Sequence, residues 1–128
     1  MFSHIMVGAN DVEESKSFYD TTLATLGIPP GRVDEKGRVF YVTPTGIFSI
    51  SKPINGEPAC FANGGTIGFA AKSPEEAVAW HDAGVAAGGA SCEDPPGIRQ
   101  GSFGQLYLAY LRDPAGNKLC AMHRLPAA

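Results

Sequence analysis

The chain opens on a strand pattern. From Ser3 to Gly8, Ile5 and Val7 project to one side while His4, Met6 and Gly8 project to the other. At Asp11 the pattern changes to helical spacing. Val12, Phe18, Tyr19, Leu23 and Leu26 follow three- and four-residue steps, so one side of this helix is buried. Asp11 caps the helix, Glu14 completes a capping box, and Gly27 with the following Ile-Pro-Pro stops it. Gly31 to Gly37 is a poor strand or a loop. Val39 to Thr43 and Ile47 to Ser51 then form a hairpin around Thr43-Pro44-Thr45-Gly46, where proline presets φ and glycine supplies the positive φ.

The same pattern then recurs. His4 to Gly27 lies on Thr66 to Gly89 without a gap. Ile5 falls on Ile67, Val7 on Phe69, Asp11 on Ser73, Glu13-Glu14 on Glu75-Glu76, Phe18 on Trp80 and Gly27 on Gly89. Ser73 caps the second helix, Pro74 takes its first position and Glu76 closes the box. Cys92 to Gln105 is irregular, a long loop of the kind that is usually functional or mobile. Leu106 to Arg112 and Lys118 to Arg124 form a second hairpin around Asp113-Pro114-Ala115-Gly116. The pattern predicts an α+β fold of two βαβββ modules, about Met1 to Asn55 and about Gly64 to Arg124. Lys52 to Gly65, rich in glycine and proline, links them. Two copies are too few for a solenoid, so both bury their apolar faces in one globule.

Composition narrows the picture. At 128 residues the chain has one domain's length, spanning 1–128. Its net charge of −3 argues against a nucleic-acid footprint, which needs a basic face. No apolar run approaches the ~20 residues of a membrane span, and no signal-peptide pattern opens the chain. Three scattered cysteines, Cys60, Cys92 and Cys120, make no disulfide framework, so the expectation is a reducing cytoplasm.

Strand parity gives the candidate site. If Ile5, Val7, Ile67, Phe69, Leu119 and Ala121 face the helices, then His4, Met6, Thr66, Gly68, Cys120 and Met122 face away from them. Laying Pro44 on Pro114 carries Ile50 onto Cys120 and places Ile50 on that second surface too. Two such curved sheets side by side enclose a cavity, the usual place for a small ligand.

Several residues carry a resemblance. They are Ser3-His4-Ile5, Phe18-Tyr19-Asp20 and Asp113-Pro114-Ala115-Gly116-Asn117-Lys118, set in paired modules. The whole chain resembles the vicinal oxygen chelate superfamily: glyoxalase I, the bleomycin-resistance proteins and the extradiol ring-cleaving dioxygenases. The resemblance implies a glyoxalase-like fold, a homodimer, and a divalent metal held by the first and last strands of each module. Those positions here are His4, Ile50, Thr66 and Cys120. Only His4 is a donor the family normally uses. Thr66 stands where a histidine is usual, Cys120 where a glutamate is usual, and isoleucine cannot ligate. A catalytic metal ordinarily takes three protein ligands, so no tightly bound divalent metal is expected. Zinc is the exception, since it accepts His4 and Cys120 together, if Tyr110 or the Cys92–Gln105 loop adds a third donor.

Each candidate has a chemical and a structural reading. His4 is a ligand or general base, or a polar residue bonded to backbone. Cys120 is a thiolate that Lys118 or Arg112 activates, or a small buried hydrophobe. Tyr110 and Arg112 share parity and offer a hydroxyl and a guanidinium to an anionic or oxygen-rich ligand, or they pack in the sheet and meet solvent; Arg99 is similarly open. Met6, Tyr41, Ile50, Thr66 and Met122 complete the expected ligand-binding lining. His81 and His123 fall on the helix or the helix side. Three function classes follow: a metal-dependent lyase, isomerase or dioxygenase (lactoylglutathione-lyase-like), a metal-free binder of a small organic molecule, and a metal-free enzyme using His4 with Cys120 or a tyrosine. Bound metal, ligand recovered unchanged, and chelator-resistant turnover respectively identify them.

Overall fold

Both helices form where capping chemistry starts them. In a computed structural model, which describes residues 1–127, the first module runs β1 (His4–Gly8), α1 (Val12–Ala24), β2 (Arg32–Val33), β3 (Val39–Thr43) and β4 (Gly46–Ser51). The second runs β5 (Ile67–Ala70), α2 (Pro74–Ala86), β6 (Ala90–Ser91), β7 (Gly97–Gly101), β8 (Gly104–Arg112) and β9 (Lys118–Arg124). The Asp11 carboxylate accepts from the Glu14 N–H at 3.1 Å, and the Ser73 hydroxyl accepts from the Glu76 N–H at 3.1 Å. At the far ends the positive φ falls on Gly27 (81°) and on Gly88 (100°) rather than on Gly89. Gly89 is needed for another reason. A Cβ there would stand 2.9 Å from the Arg112 carbonyl oxygen, so only glycine lets the chain leave α2 this close to β8.

Two sheets result, ordered β1-β4-β3-β2 and β5-β9-β8-β6, with β7 also pairing with β8. β1 runs parallel to β4 and β5 parallel to β9, so both copies have the same topology. One expectation needs correction. Part of the irregular Cys92–Gln105 stretch is a strand: β7 pairs with β8 around a turn at Ser102 and Phe103. Its glycines and its outward-facing Ile98 leave no apolar alternation, so cross-strand hydrogen bonding, not side-chain burial, forms it.

The core lies between the helices and the helix-facing sides of both sheets. Ile5, Phe48 and Ile50 of the first sheet meet Ile67, Phe69, Leu111 and Leu119 of the second around Phe18, Tyr19, Leu23 and Trp80. A run of aromatic contacts crosses the modules: Tyr19 to Phe48 at 4.8 Å, Phe48 edge-to-face on Phe69 at 5.2 Å, Phe69 to Trp80 at 6.5 Å. Such pairs add ~0.5–1.5 kcal/mol each beyond the area they bury.

A polar bridge crosses the same boundary. Within the Asp113–Asn117 turn, one Asp113 carboxylate oxygen accepts the N–H groups of Ala115 and Asn117 at 2.9 Å each. The other accepts the Tyr19 hydroxyl of α1 at 2.5 Å and the Asn117 side-chain amide at 2.8 Å. That amide also donates to the Gly8 carbonyl of β1 at 2.9 Å. Burial, with the Asp113 carboxylate beside it, holds the Tyr19 phenol well above the usual tyrosine range, so it stays a donor. Asn117→Ala leaves the buried Asp113 carboxylate and the part-buried Gly8 carbonyl each short of a donor and is expected to destabilise by about 2 kcal/mol. Urea unfolding measures this against Asn63→Ala in the exposed linker, which is expected to stay within about 0.5 kcal/mol of the parent. Equal stabilities for the two variants would show that the bridge contributes nothing.

Candidate functional site

Each sheet has one side that no helix covers. Opposed residues share a side, and the helix side is marked by the fully buried Ala109, Leu111, Leu119 and Ala121. Their neighbours Leu108, Tyr110, Cys120 and Met122 therefore lie on the open side, as do Gly68 and Ala70 of β5. On the first sheet the open side carries His4 and Met6 of β1, with Ile47 and Ser49 of β4.

Between the sheets lies a cavity of about 540 Å³. It opens where β1 and β5, the outermost strand of each sheet, approach without pairing. His4, Ile47, Phe48 and Val42 wall one side, Gly68, Phe69 and Ala70 the other, and Leu26 and Ile28 the end beyond α1. Both strands are sheet edges, so unpaired backbone N–H and C=O groups also face the space. The His4 ring is held by a hydrogen bond of 2.8 Å between Nδ1 and the Ser3 hydroxyl.

The predicted site residues divide accordingly. His4 lines the cavity; Tyr110, Cys120 and Met122 occupy the adjoining open face of the second sheet; Met6 is exposed on that of the first. Thr66 is exposed and precedes β5. Two residues must be corrected. Tyr41 is not a lining residue: it opposes Phe48 on the helix side, where its hydroxyl donates to Asp20 at 2.8 Å. Ile50 is a fully buried core residue, because β4 pairs Val7 with Ile50 and Met6 with Ser49. Turn-to-turn alignment was one residue out of step, and Ser49 is the true counterpart of Cys120. Its hydroxyl is already spent on the Ile5 carbonyl at 3.0 Å.

Arg112 is committed too. Its guanidinium donates to the Gly116 carbonyl at 2.9 Å and lies over the Phe61 ring. It therefore does not pair with Tyr110 as a ligand clamp. Lys118 instead lies over that ring, 5.2 Å from its centre, and is paired with Glu93. His123 faces the helix side as expected, its Nδ1 at 3.0 Å from the Ala71 carbonyl. The lining residues Ile47, Ala70 and Leu26 escaped sequence reasoning, which had only parity within strands and no view of how the sheet edges meet.

The donor set does not fit the divalent metal that the fold suggests. Among the described residues, no three His, Cys, Asp or Glu side chains converge. His4 and Cys120 stand on different sheets, the Ser49 hydroxyl is bonded to backbone, and Thr66 brings no charge.

The model of the Glyoxalase/Bleomycin resistance protein/Dioxygenase superfamily matches residues 1–121, and the chain belongs to that family. Among solved structures it is similar to a glyoxalase/bleomycin resistance protein from Albidiferax ferrireducens T118, with 61% identity over 97% of this chain and 99% of that one, and a TM-score of 0.94. It shares its fold with a glyoxalase/bleomycin resistance protein/dioxygenase family enzyme from Burkholderia phytofirmans PsJN (15% identity, 96% and 98% covered, TM-score 0.73). The same holds for lactoylglutathione lyase from Agrobacterium tumefaciens (20% identity, 95% and 92% covered, TM-score 0.66). No curated protein matches the chain.

The Cys120 thiol shows how the open face differs from an activated site. Burial, and next the nearby Glu93 carboxylate, raise its pKa, while Lys118, which would lower it, is itself neutralised by Glu93. A raised pKa means less thiolate at a given pH and slower attack on an electrophile. Iodoacetamide at pH 8 is expected to modify the exposed Cys60 at least roughly tenfold faster than Cys120, read by peptide mass spectrometry. Equal rates would mean that the thiol is activated after all.

Proposed function

We propose that this chain binds a small organic molecule in the cavity between its sheets and holds no resident catalytic metal there. The cavity itself carries the reading: about 540 Å³, walled by Phe48, Phe69, Leu26 and Ile28, with His4 as the polar group at one side. That is the size and character of a small-molecule site. His4 would orient the ligand through the ring nitrogen not bonded to Ser3. Chemistry joining His4 to Cys120 is disfavoured, because Cys120 does not line the cavity.

The second reading is a metal-dependent lyase, isomerase or dioxygenase of the glyoxalase type. The fold shared with lactoylglutathione lyase favours it; the donor set opposes it. Elemental analysis and native mass spectrometry of untagged protein separate the two. The expected outcome is a bound organic mass and less than roughly a tenth of an equivalent of any transition metal. Ala70→Trp, which fills the cavity from an exposed position, is expected to lose that mass and leave Tm nearly unchanged. Near-stoichiometric zinc, nickel, iron or manganese, lost on His4→Ala, would overturn the proposal.

A homodimer in a reducing cytoplasm completes the proposal. Free Cys60, Cys92 and Cys120 suit such a compartment. No helix among the described residues is long and apolar enough to cross a membrane. Met6 and Val42, 44% and 59% exposed on the open side of the first sheet, suit coverage by a second copy. Light scattering at micromolar protein is expected to give twice the 13.4 kDa chain mass, and a lone 13.4 kDa species would rule the dimer out.

A further inference from the structure

The open face of the second sheet joins the cavity along β5, through Gly68 and Ala70, and it carries a cation that has no carboxylate partner. Among the described residues, Lys16, Arg38 and Lys118 sit in ion pairs with carboxylates; of the other basic residues only Arg99 and Arg112 are half-buried, and Arg112 is held by the Gly116 carbonyl and the Phe61 ring. Acids are not scarce in a chain with 13 of them against 10 basic residues. A half-buried guanidinium facing no carboxylate therefore calls for a specific account.

Its position is built by the β7–β8 hairpin. Arg99 opposes Leu106, and the neighbouring row on the same side runs Gly97, Leu108, Met122. The guanidinium folds back along β7, where Nη2 donates to the Pro95 carbonyl at 2.7 Å and Nη1 to that of Ile98 at 3.4 Å. Gly97 makes the room: a Cβ there would stand 3.1 Å from Nη1. A guanidinium has five N–H donors, so three remain for something else. Leu108 and Met122 beside it are half-buried, with no helix above them. Tyr110 faces the same side. Burial first, then the Cys120 thiol and the Glu93 carboxylate, raise its phenol, while Lys118 and Arg99 act the other way; the balance is upward, so it stays a donor within electrostatic reach of Arg99.

From this arrangement we infer that Arg99, together with the Tyr110 hydroxyl, receives the acidic head of the bound ligand, whose apolar body runs over Leu108 and Met122 to Ala70, where the face enters the cavity. The ligand class is a small amphiphile with one carboxylate- or sulfonate-like group on an aromatic or aliphatic body. A planar fork of donors matches such an oxyanion in two-point contact, and the apolar floor takes the remainder. This inference rests on the proposed small-molecule function and specifies its ligand.

Two fluorescent probes of similar ring body test it, 8-anilinonaphthalene-1-sulfonate and the uncharged N-phenyl-1-naphthylamine, titrated into the full-length protein at low salt. Arg99→Gln is expected to weaken the sulfonate probe roughly tenfold and leave the uncharged probe within about twofold. Gly97→Val, which displaces the guanidinium without removing it, is expected to act in the same direction. Added salt should weaken only the anionic probe, and only where Arg99 is present. The inference is overturned if both probes weaken together in Arg99→Gln, if the sulfonate probe is unaffected, or if Lys72→Gln in the cavity abolishes the preference instead. If neither probe binds the parent protein, the small-molecule reading fails along with it. If the uncharged probe binds and Arg99 makes no difference, only the present inference fails.

Discussion

The structure depends on the buried carboxylate of Asp113. It lies in the last turn of the second module, yet it accepts a hydrogen bond from Tyr19 in the first helix and positions Asn117 to bond Gly8 in the first strand. A buried carboxylate is costly unless its oxygens are fully engaged. Here two backbone N–H groups, a phenol and an amide engage them. Losing any of these partners exposes the cost of the rest. The network therefore works as a geometric constraint: the polar groups of the second hairpin's turn are fully satisfied only with the first module in place.

That constraint shapes the site. It fixes the end of β1 against the second hairpin, and the aromatic contact of Phe48 with Phe69 fixes the sheets through the core. With both set, the outer edges of β1 and β5 approach each other without joining. The gap is the cavity. Its polarity follows from which strands border it, so His4 lines the space while Cys120, on the inner strand β9, does not. In a family whose members commonly chelate metal, this chain keeps the cavity and carries a weak donor set around it. On the adjoining face Arg99 bonds only backbone carbonyls, which leaves donors that the proposed anionic ligand would take.

Much of this was legible in the residues. Local signals were decisive wherever the physics is local: Asp11 with Glu14 and Ser73 with Glu76 start the helices, and the alternation in β1, β5 and β9 sorts the core face from the open face. The failures share one cause. Ile50 was placed on the wrong side by a shift of one residue, which reverses every side chain, and the side of Tyr41 is set by its pairing with Phe48, since register is a property of pairing. β7 was missed because its residues gain their order from β8 rather than from burial.

The sequence by itself determined the duplicated module, its helix boundaries, the family and the poverty of metal donors, since each follows from residue identity and short-range spacing. Only the tertiary structure decided that the Asp113–Asn117 turn bridges the modules, that Arg112 is spent on Gly116 and Phe61, and that Arg99 meets backbone carbonyls and no carboxylate. These are outcomes of competition among many donors, acceptors and charges for a few positions in space. Such competition is settled when distant segments pack, and no segment contains the answer alone.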